Sequence, residues 1–292
     1  MPIGKQKLLG ITISNDDYHK DITRVSKSGL DLVNRSPAHY FQRYLDPNRR
    51  IEDEPEKEWQ IVGSATGTAI LEPDEFKRYY AWLDDLEICK EIGGLRPTTT
   101  NKYKELIAEE TKKLQGKKII SLEDYNRSLA MRDAVHKHPA AKALLKSGQA
   151  ERTFYFIDPL TGAACRIRPD FLSDTGFTVD VKTTEDARPE AFARSCYKFR
   201  YHVQDSYYTD GLKHNGLDRK GFIFIVVEKK PPHNVAVYTL SDPSKVLGRT
   251  EYQSNLFTYK DCQDKGIWPG YGDLVLPLDL PQWAFNKPNH KD

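Results

Sequence analysis

The sequence predicts an α/β (α+β) protein in which a mixed β-sheet is flanked by helices and preceded by a helical elaboration. Between Glu151 and Leu240, short runs alternate like half-buried strands or are continuously apolar, as in Gly221-Phe-Ile-Phe-Ile-Val-Val-Glu228, the pattern of a strand covered on both faces. Upstream, residues 74–85, 101–114 and 122–136 read as helices separated by the turn-rich Gly93-Gly-Leu-Arg-Pro97 and by Gly116. With 292 residues, 38% hydrophobic and 29% charged, the chain has the composition of a soluble protein able to bury a substantial core. The expected organisation is one domain over 1–292. Residues 1–148 are mainly helical, and 149–292 hold the sheet core, a closing helix and a tail.

Composition also excludes classes. No apolar run approaches the roughly 18–20 residues of a membrane span, and Met-Pro-Ile-Gly-Lys-Gln-Lys at the N-terminus lacks a signal peptide's apolar core, so a cytoplasmic protein without a membrane partner is expected. Cys89, Cys165, Cys196 and Cys262 lie far apart with no C-X-X-C, which argues against a disulfide framework or a zinc ribbon. A net charge of +2 is too small to identify a nucleic-acid partner, so any DNA contact must come from local patches.

In chain order, Ser26 or Ser28 is placed to cap a helix carrying Leu30 and Val33 inward, and Ser36-Pro37 marks a break before a second helix near Ala38. Residues 48–59 are highly charged and read as an exposed loop. The small residues of Ile61-Val-Gly-Ser-Ala-Thr-Gly-Thr-Ala-Ile-Leu-Glu-Pro73 would let a helix pack closely on the sheet. His39, His136 and His138 form no pair at i, i+4 and are expected at the surface. Pro231-Pro232 turns the chain from the strand ending at Glu228 into a partner strand over 235–240, and a helix over 244–262 closes the domain.

The chemistry centres on Arg168-Pro169-Asp170-Phe171-Leu172 and Val179-Asp180-Val181-Lys182. Alternate strand residues share a face, so Asp180 and Lys182 point one way while Val179 and Val181 enter the core. Asp170 and Asp180 then make a hard oxygen site suited to Mg²⁺ or Mn²⁺, to which the Val181 carbonyl adds a ligand. Lys182 beside it would orient or deprotonate a water, or steady developing negative charge; this suits metal-assisted phosphodiester hydrolysis. Glu151 heads a strand-like run upstream and is read as an outer or second-metal carboxylate, or as an ordinary edge charge. Gln204 and Tyr208 lie four apart on a helix and would hold substrate phosphate or the attacking water. Arg188, Arg194, Lys198 and Arg200 interleave with Phe192, Tyr197, Phe199 and Tyr201, a mixture suited to phosphate contact and base stacking. A second acid-X-Lys, Glu228-Lys229-Lys230, ranks lower because no suitably spaced Pro-Asp strand precedes it.

Pro-Asp, nine residues, then Asp-X-Lys resembles the PD-(D/E)XK nuclease superfamily, and with the upstream Glu and the Gln-X-X-X-Tyr helix it resembles the RecB-like branch. Residues 25–44, the helix at 61–73, Gly266-Ile-Trp-Pro-Gly-Tyr271 and Leu280-Pro-Gln-Trp283 resemble RecE-type exonucleases, also called exonuclease VIII. This resemblance implies a restriction-endonuclease-like core and a 5′-to-3′ exonuclease on linear double-stranded DNA, acting in a bacterial cell or phage-infected host. It also implies Mg²⁺ or Mn²⁺ as cofactor, a single-strand annealing protein as partner in phage-type recombination, and a homo-oligomer, commonly a ring-shaped tetramer. One position departs from the pattern: Gly67 stands where the relatives carry a metal-reaching histidine. The rival expectations are a RecB-like nuclease on single-stranded ends, or a DNA-end-binding protein with an impaired metal site.

Overall fold

A computed structural model describes residues 10–48, 58–83, 85–93, 97–114 and 116–285. The predicted loop at 48–59 lies mostly outside these described residues. The chain opens with α1 (Asn15–Lys20), α2 (Lys27–Arg35) and α3 (Pro37–Tyr40), the last continuing into a π-helical turn, Phe41–Leu45. Ser26 caps α2 as expected, its Oγ accepting from the Gly29 N–H at 3.2 Å, and Leu30 and Val33 are buried. Next come α4 (Glu58–Leu71), α5 (Pro73–Tyr79), β1 (Tyr80–Ala81), α6 (Asp85–Ile92), α7 (Asn101–Lys113) and β2 (Lys118–Ile119), then α8 (Leu122–Lys137) and α9 (Pro139–Leu145). The helix predicted over 74–85 therefore stops at Tyr79. Tyr80 turns extended, and β1 pairs in parallel with β2, burying Tyr80 with Phe76, Ala65, Ala69 and Ile120. Non-local pairing across some forty residues overrides the local helical pattern.

The sheet half contains β3 (Gly148–Ala150), β4 (Phe154–Ile157), β5 (Ala164–Ile167), β6 (Phe171–Ser173), β7 (Phe177–Thr184), α10 (Pro189–Lys198), α11 (Tyr201–His214), β8 (Gly221–Glu228) and β9 (Val235–Tyr238), followed by α12 (Asp242–Lys265) and α13 (Gln282–Phe285). Five strands form a mixed sheet in the order β3-β6-β7-β8-β9, parallel only at β7–β8, where Asp180 lies in register with Phe224. The β4–β5 hairpin stands apart. The run from Glu151 to Phe156, read as one strand, is broken: Glu151 takes a left-handed conformation, φ 51°, between β3 and β4.

Both faces of the sheet are covered, which explains its continuous apolar strands. On one face Val62 and Ile70 of α4 and Met131 and Val135 of α8 pack on Val179, Ile225 and Val227. On the other, Phe192 of α10 packs on Phe222, Phe224 and Val226. Asp180 and Lys182 share that second face. Helix α12 closes over α11 so tightly that a Cβ at Gly248 would collide with the His202 carbonyl. Among the described residues no helix is long and apolar enough to cross a membrane.

Asp205 of α11 is buried in the α11–α12 crossing. Thr209 Oγ1 donates to its Oδ1 at 3.3 Å, while its Oδ2 has no hydrogen-bond partner. Burial pushes its carboxyl up to about 7, against the pull of Lys245 and Arg249. A folded pKa above the unfolded one means that ionisation opposes folding, so this residue costs stability progressively as pH rises from about 4 to about 7. Asp205→Asn is expected to be more stable than wild type by about 1–3 kcal/mol at pH 8, with the gap closing near pH 4. Urea denaturation at both pH values checks this, and a pH-independent difference between the two proteins would refute it.

Candidate active site

The strand β7 delivers Asp180 to a position shut off from solvent, with 0% of its side chain exposed. Its Oδ1 accepts from Gln204 Nε2 at 2.5 Å, and its Oδ2 lies 2.7 Å from Lys182 Nζ. That ammonium also sits 4.6 Å from the centre of the Tyr201 ring. Beyond this ion pair the buried Oδ2 has no further hydrogen-bond partner.

Asp170 immediately precedes β6, and its Oδ2 accepts from the Val181 N–H at 2.8 Å. The reason lies in the sheet: β6 pairs with β7 only as far as Phe171 opposite Val179, leaving the edge beyond it free. An extended residue directs its N–H and C=O to the same edge. The Val181 carbonyl is thus on Asp170's side of the strand. Glu151 is tied to the same strand end, its N–H donating to the Asp170 carbonyl at 3.0 Å and its carboxylate lying 3.1 Å from Arg168 Nε.

Electrostatics draw these groups together. Burial, then the charges of Asp180 and Glu151, hold the Asp170 carboxyl well above the usual carboxylate range, with Lys182 opposing. Burial also raises Glu151, with Glu72 and Asp180 adding to the rise and Arg168 countering it. Burial works to lower Lys182, but Asp180 and Asp170 outweigh it and keep the amine above the ordinary lysine range. With the two acids beside it, the charged form of Lys182 is favoured, the form that can steady negative charge. Tyr208 is half-buried; desolvation, then Tyr18 and the charges of Asp180, Asp170 and Glu151, raise its phenol well above the usual range, so it stays neutral.

The donor set fits a divalent ion. Carboxylates crowd here until one resists ionising, the buried Asp180 Oδ2 has no hydrogen-bond partner, and all the donors are hard oxygens. Among the described residues no three His, Cys, Asp or Glu side chains converge as a ready cage, so an ion here would rest on Asp170, Asp180, the Val181 carbonyl and water. At Gly67, on α4, an added Cβ would meet no atom within 4 Å.

Several expected roles change. Gln204, expected on phosphate or water, instead donates to Asp180 and positions it. Arg188 is exposed and paired with Asp186 at 2.7 Å, while Arg194 and Lys198 are exposed on α10. Arg200, grouped with them as a phosphate contact, is an internal clamp: its Nη2 donates to Asn255 Oδ1 at 2.8 Å and lies 3.2 Å from Glu251. Its side chain is only 12% exposed. Glu228 accepts from the Ala187 N–H at 3.0 Å and from Asn234 Nδ2 at 3.2 Å, so the second acid-X-Lys is structural. His39, His136 and His138 are half-buried rather than simply exposed: His39 pairs with Ser36 and His138 caps α9 at Ala141, while His136 of α8 reaches the Ile70 carbonyl of α4 at 3.0 Å.

Two neighbours escaped the sequence reading. Glu72, between α4 and α5, exerts its charge on Glu151; its only sequence signal was an acid ending the small-residue helix. Lys27 of α2 lies within the field of Lys182, pairs with Asp31 at 2.7 Å and donates to the Phe199 carbonyl at 2.8 Å.

Residues 26–275 match a family described as a PDDEXK-like domain of unknown function (DUF3799). Among solved structures, the fold is similar to that of a protein from Eubacterium rectale described as a putative exonuclease, with 16% identity, a TM-score of 0.59, and coverage of 95% of this chain and 99% of that one. At that identity the likeness speaks for the fold. Comparison with curated proteins gives no match.

Proposed function

The chain belongs to this PDDEXK-like family, and from that premise we propose that it is a divalent-metal-dependent exodeoxyribonuclease that degrades linear double-stranded DNA from its ends. The observation that carries the reading is the buried Asp180 carboxylate, held between Lys182 at 2.7 Å and Gln204 at 2.5 Å, beside Asp170 on the open edge of β7. Such a group has no packing purpose. Burying a charge is costly unless it is paired, and here the pairing leaves one oxygen lone pair free and sets a second carboxylate alongside.

When bound by Asp170, Asp180 and the Val181 carbonyl, Mg²⁺ or Mn²⁺ would supply Lewis acidity and a water of lowered pKa. The chain's own groups do the rest. Gln204 fixes the rotamer of Asp180 through Oδ1, leaving Oδ2 turned to Lys182. Lys182, charged and held against both Asp180 and the face of Tyr201, steadies the negative charge that gathers on phosphate oxygens as the phosphodiester is attacked. Arg168, bound to the Ile13 carbonyl at 2.6 Å, holds Glu151 at the site's rim. Arg188, Arg194 and Lys198 are available on the surface for phosphates.

A 5′-to-3′ direction, handover of the 3′ strand to an annealing protein, and assembly as a ring of four complete the proposal by resemblance to RecE-type enzymes. The test is degradation of a linear duplex labelled at its 5′ or its 3′ end, with Mg²⁺ or Mn²⁺ and with chelator. Metal-dependent loss of duplex that vanishes in Asp180→Ala is the expected result, and earlier release of the 5′ label gives the direction. Intact duplex in both metals, with end binding retained, would sink the nuclease reading in favour of an end-binding protein.

A further inference from the structure

We infer that Phe199 stacks on a base at the DNA end, so that the turn between α10 and α11 fixes where the strand enters the site. The inference rests on the nuclease reading above. A ladder of rings leads from the buried ion pair to solvent: Lys182 Nζ lies 4.6 Å from the Tyr201 ring centre, and Tyr201 stacks on Phe199 at 5.7 Å and 29°. Phe199 is 47% exposed and Tyr197 72% exposed. The outer ring is thus at most about 10 Å from the catalytic ammonium, about three base steps of 3.4 Å along a strand.

The outer ring is held firmly. Phe199 ends α10, its N–H donating to the Ser195 carbonyl at 2.9 Å, and its own carbonyl accepts from Lys27 Nζ at 2.8 Å. The next residue, Arg200, takes a left-handed conformation, φ 55°, that residues other than glycine seldom adopt. Its guanidinium is anchored by Asn255 and Glu251 of α12. Helices α2 and α12 together hold a strained turn whose visible result is an exposed phenylalanine beside the site. Strain of this kind persists where surrounding structure enforces it, commonly at functional positions.

The surroundings select the ligand. A protein partner would call for a wider apolar patch, whereas the charged group against this ring is a cation, Lys198, whose Nζ is 5.3 Å from its centre; Lys27, which reaches its carbonyl, is itself paired with Asp31. An aromatic face among cations fits a base with its phosphates, and stacking on one base is worth roughly 5–150-fold in affinity whatever the sequence.

A thermodynamic cycle tests this. End binding is measured in the Asp180→Asn background, which keeps the duplex uncut. Duplexes are compared with or without an abasic nucleotide at each of the three terminal positions of either strand, and Phe199 is compared with Phe199→Ala. At one position the abasic nucleotide and Phe199→Ala should each weaken binding about 5–50-fold, and together no more than either alone. Phe199→Trp should restore the coupling, and Phe257→Ala, which removes an exposed ring of α12, should leave it intact. Losses that simply multiply at every position, or a Phe199→Ala protein binding as the parent does, would overturn the inference. Wild-type cleavage with multiplying losses would reject stacking and leave the nuclease; coupling without cleavage would do the reverse; no DNA binding rejects both.

Discussion

Asp170→Asn is expected to make the metal-free protein more stable while removing at least about a thousandfold of the proposed nuclease activity. The opposite signs come from one fact. Asp170 is half-buried beside Asp180 and within the field of Glu151, and desolvation together with those charges raises its carboxyl, so its charge opposes folding unless a cation shares the site. An asparagine keeps an oxygen to accept the Val181 N–H, now 2.8 Å from Asp170 Oδ2, and brings no charge. In chelator at pH 8 the variant should melt about 2–6 °C higher, the scale of 1–2 kcal/mol in a protein of this size. Because the folded pKa is raised, the advantage is largest at alkaline pH. It shrinks as pH falls through that raised value, and is gone near pH 4, where Asp170 is protonated in both states. Adding Mn²⁺ at about 100 times its Kd should stabilise wild type by about 2.7 kcal/mol and leave the variant unmoved, inverting the order of the melts. A variant that melts below wild type in chelator, or shifts equally with Mn²⁺, would show that Asp170 is an ordinary structural acid.

The same crowding explains which parts of this molecule could be read in advance. Strand alternation places Asp180 and Lys182 on one face and Val179 on the other, because the period of two is local and leaves no choice. The continuous apolar run at β8 announces burial on both faces, and the cap at Ser26 is equally local. Glu151 was harder. It sits in a run whose alternation imitates a strand, and only the left-handed kink between β3 and β4, tied to Asp170 and Arg168 in the link between β5 and β6, shows that it turns toward the site. Arg200 was misleading for a related reason: a charge in a polar loop resembles a phosphate contact until the long-range partners Asn255 and Glu251 come into view. Gln204 has the right helix face, but its task depends on which acceptor comes within 2.5 Å. Glu72 acts through space on Glu151, and no pattern along the chain reports that. Local periodicity thus fixes the elements and the central acids, while the groups that hold those acids in place depend on contacts far apart in sequence.

Gly67→His is expected to raise apparent Mn²⁺ affinity by about 10–100-fold, and the rate of duplex degradation with it. Helix α4 lies on the sheet with Val62 and Ile70 packed against Val179 of β7, the strand that carries Asp180. At Gly67 an added Cβ would meet no atom within 4 Å, so a side chain can start from this position without a clash at its first atom. Two carboxylates and a carbonyl leave the proposed ion short of side-chain donors, and a neutral imidazole adds one without adding to the negative charge that already raises Asp170. The gain should fade below about pH 6.5, where the imidazole protonates and stops ligating. Replacing a helical glycine also relieves a backbone cost of up to about 1 kcal/mol, so stability alone cannot be the readout. Gly67→Ala makes the separation: it takes the helical gain and offers no ligand. The expected order of Mn²⁺ affinity is therefore histidine above alanine, with alanine equal to glycine. If alanine matches histidine in metal affinity and rate, the position acts through the helix, and the ion depends on the β7 edge alone.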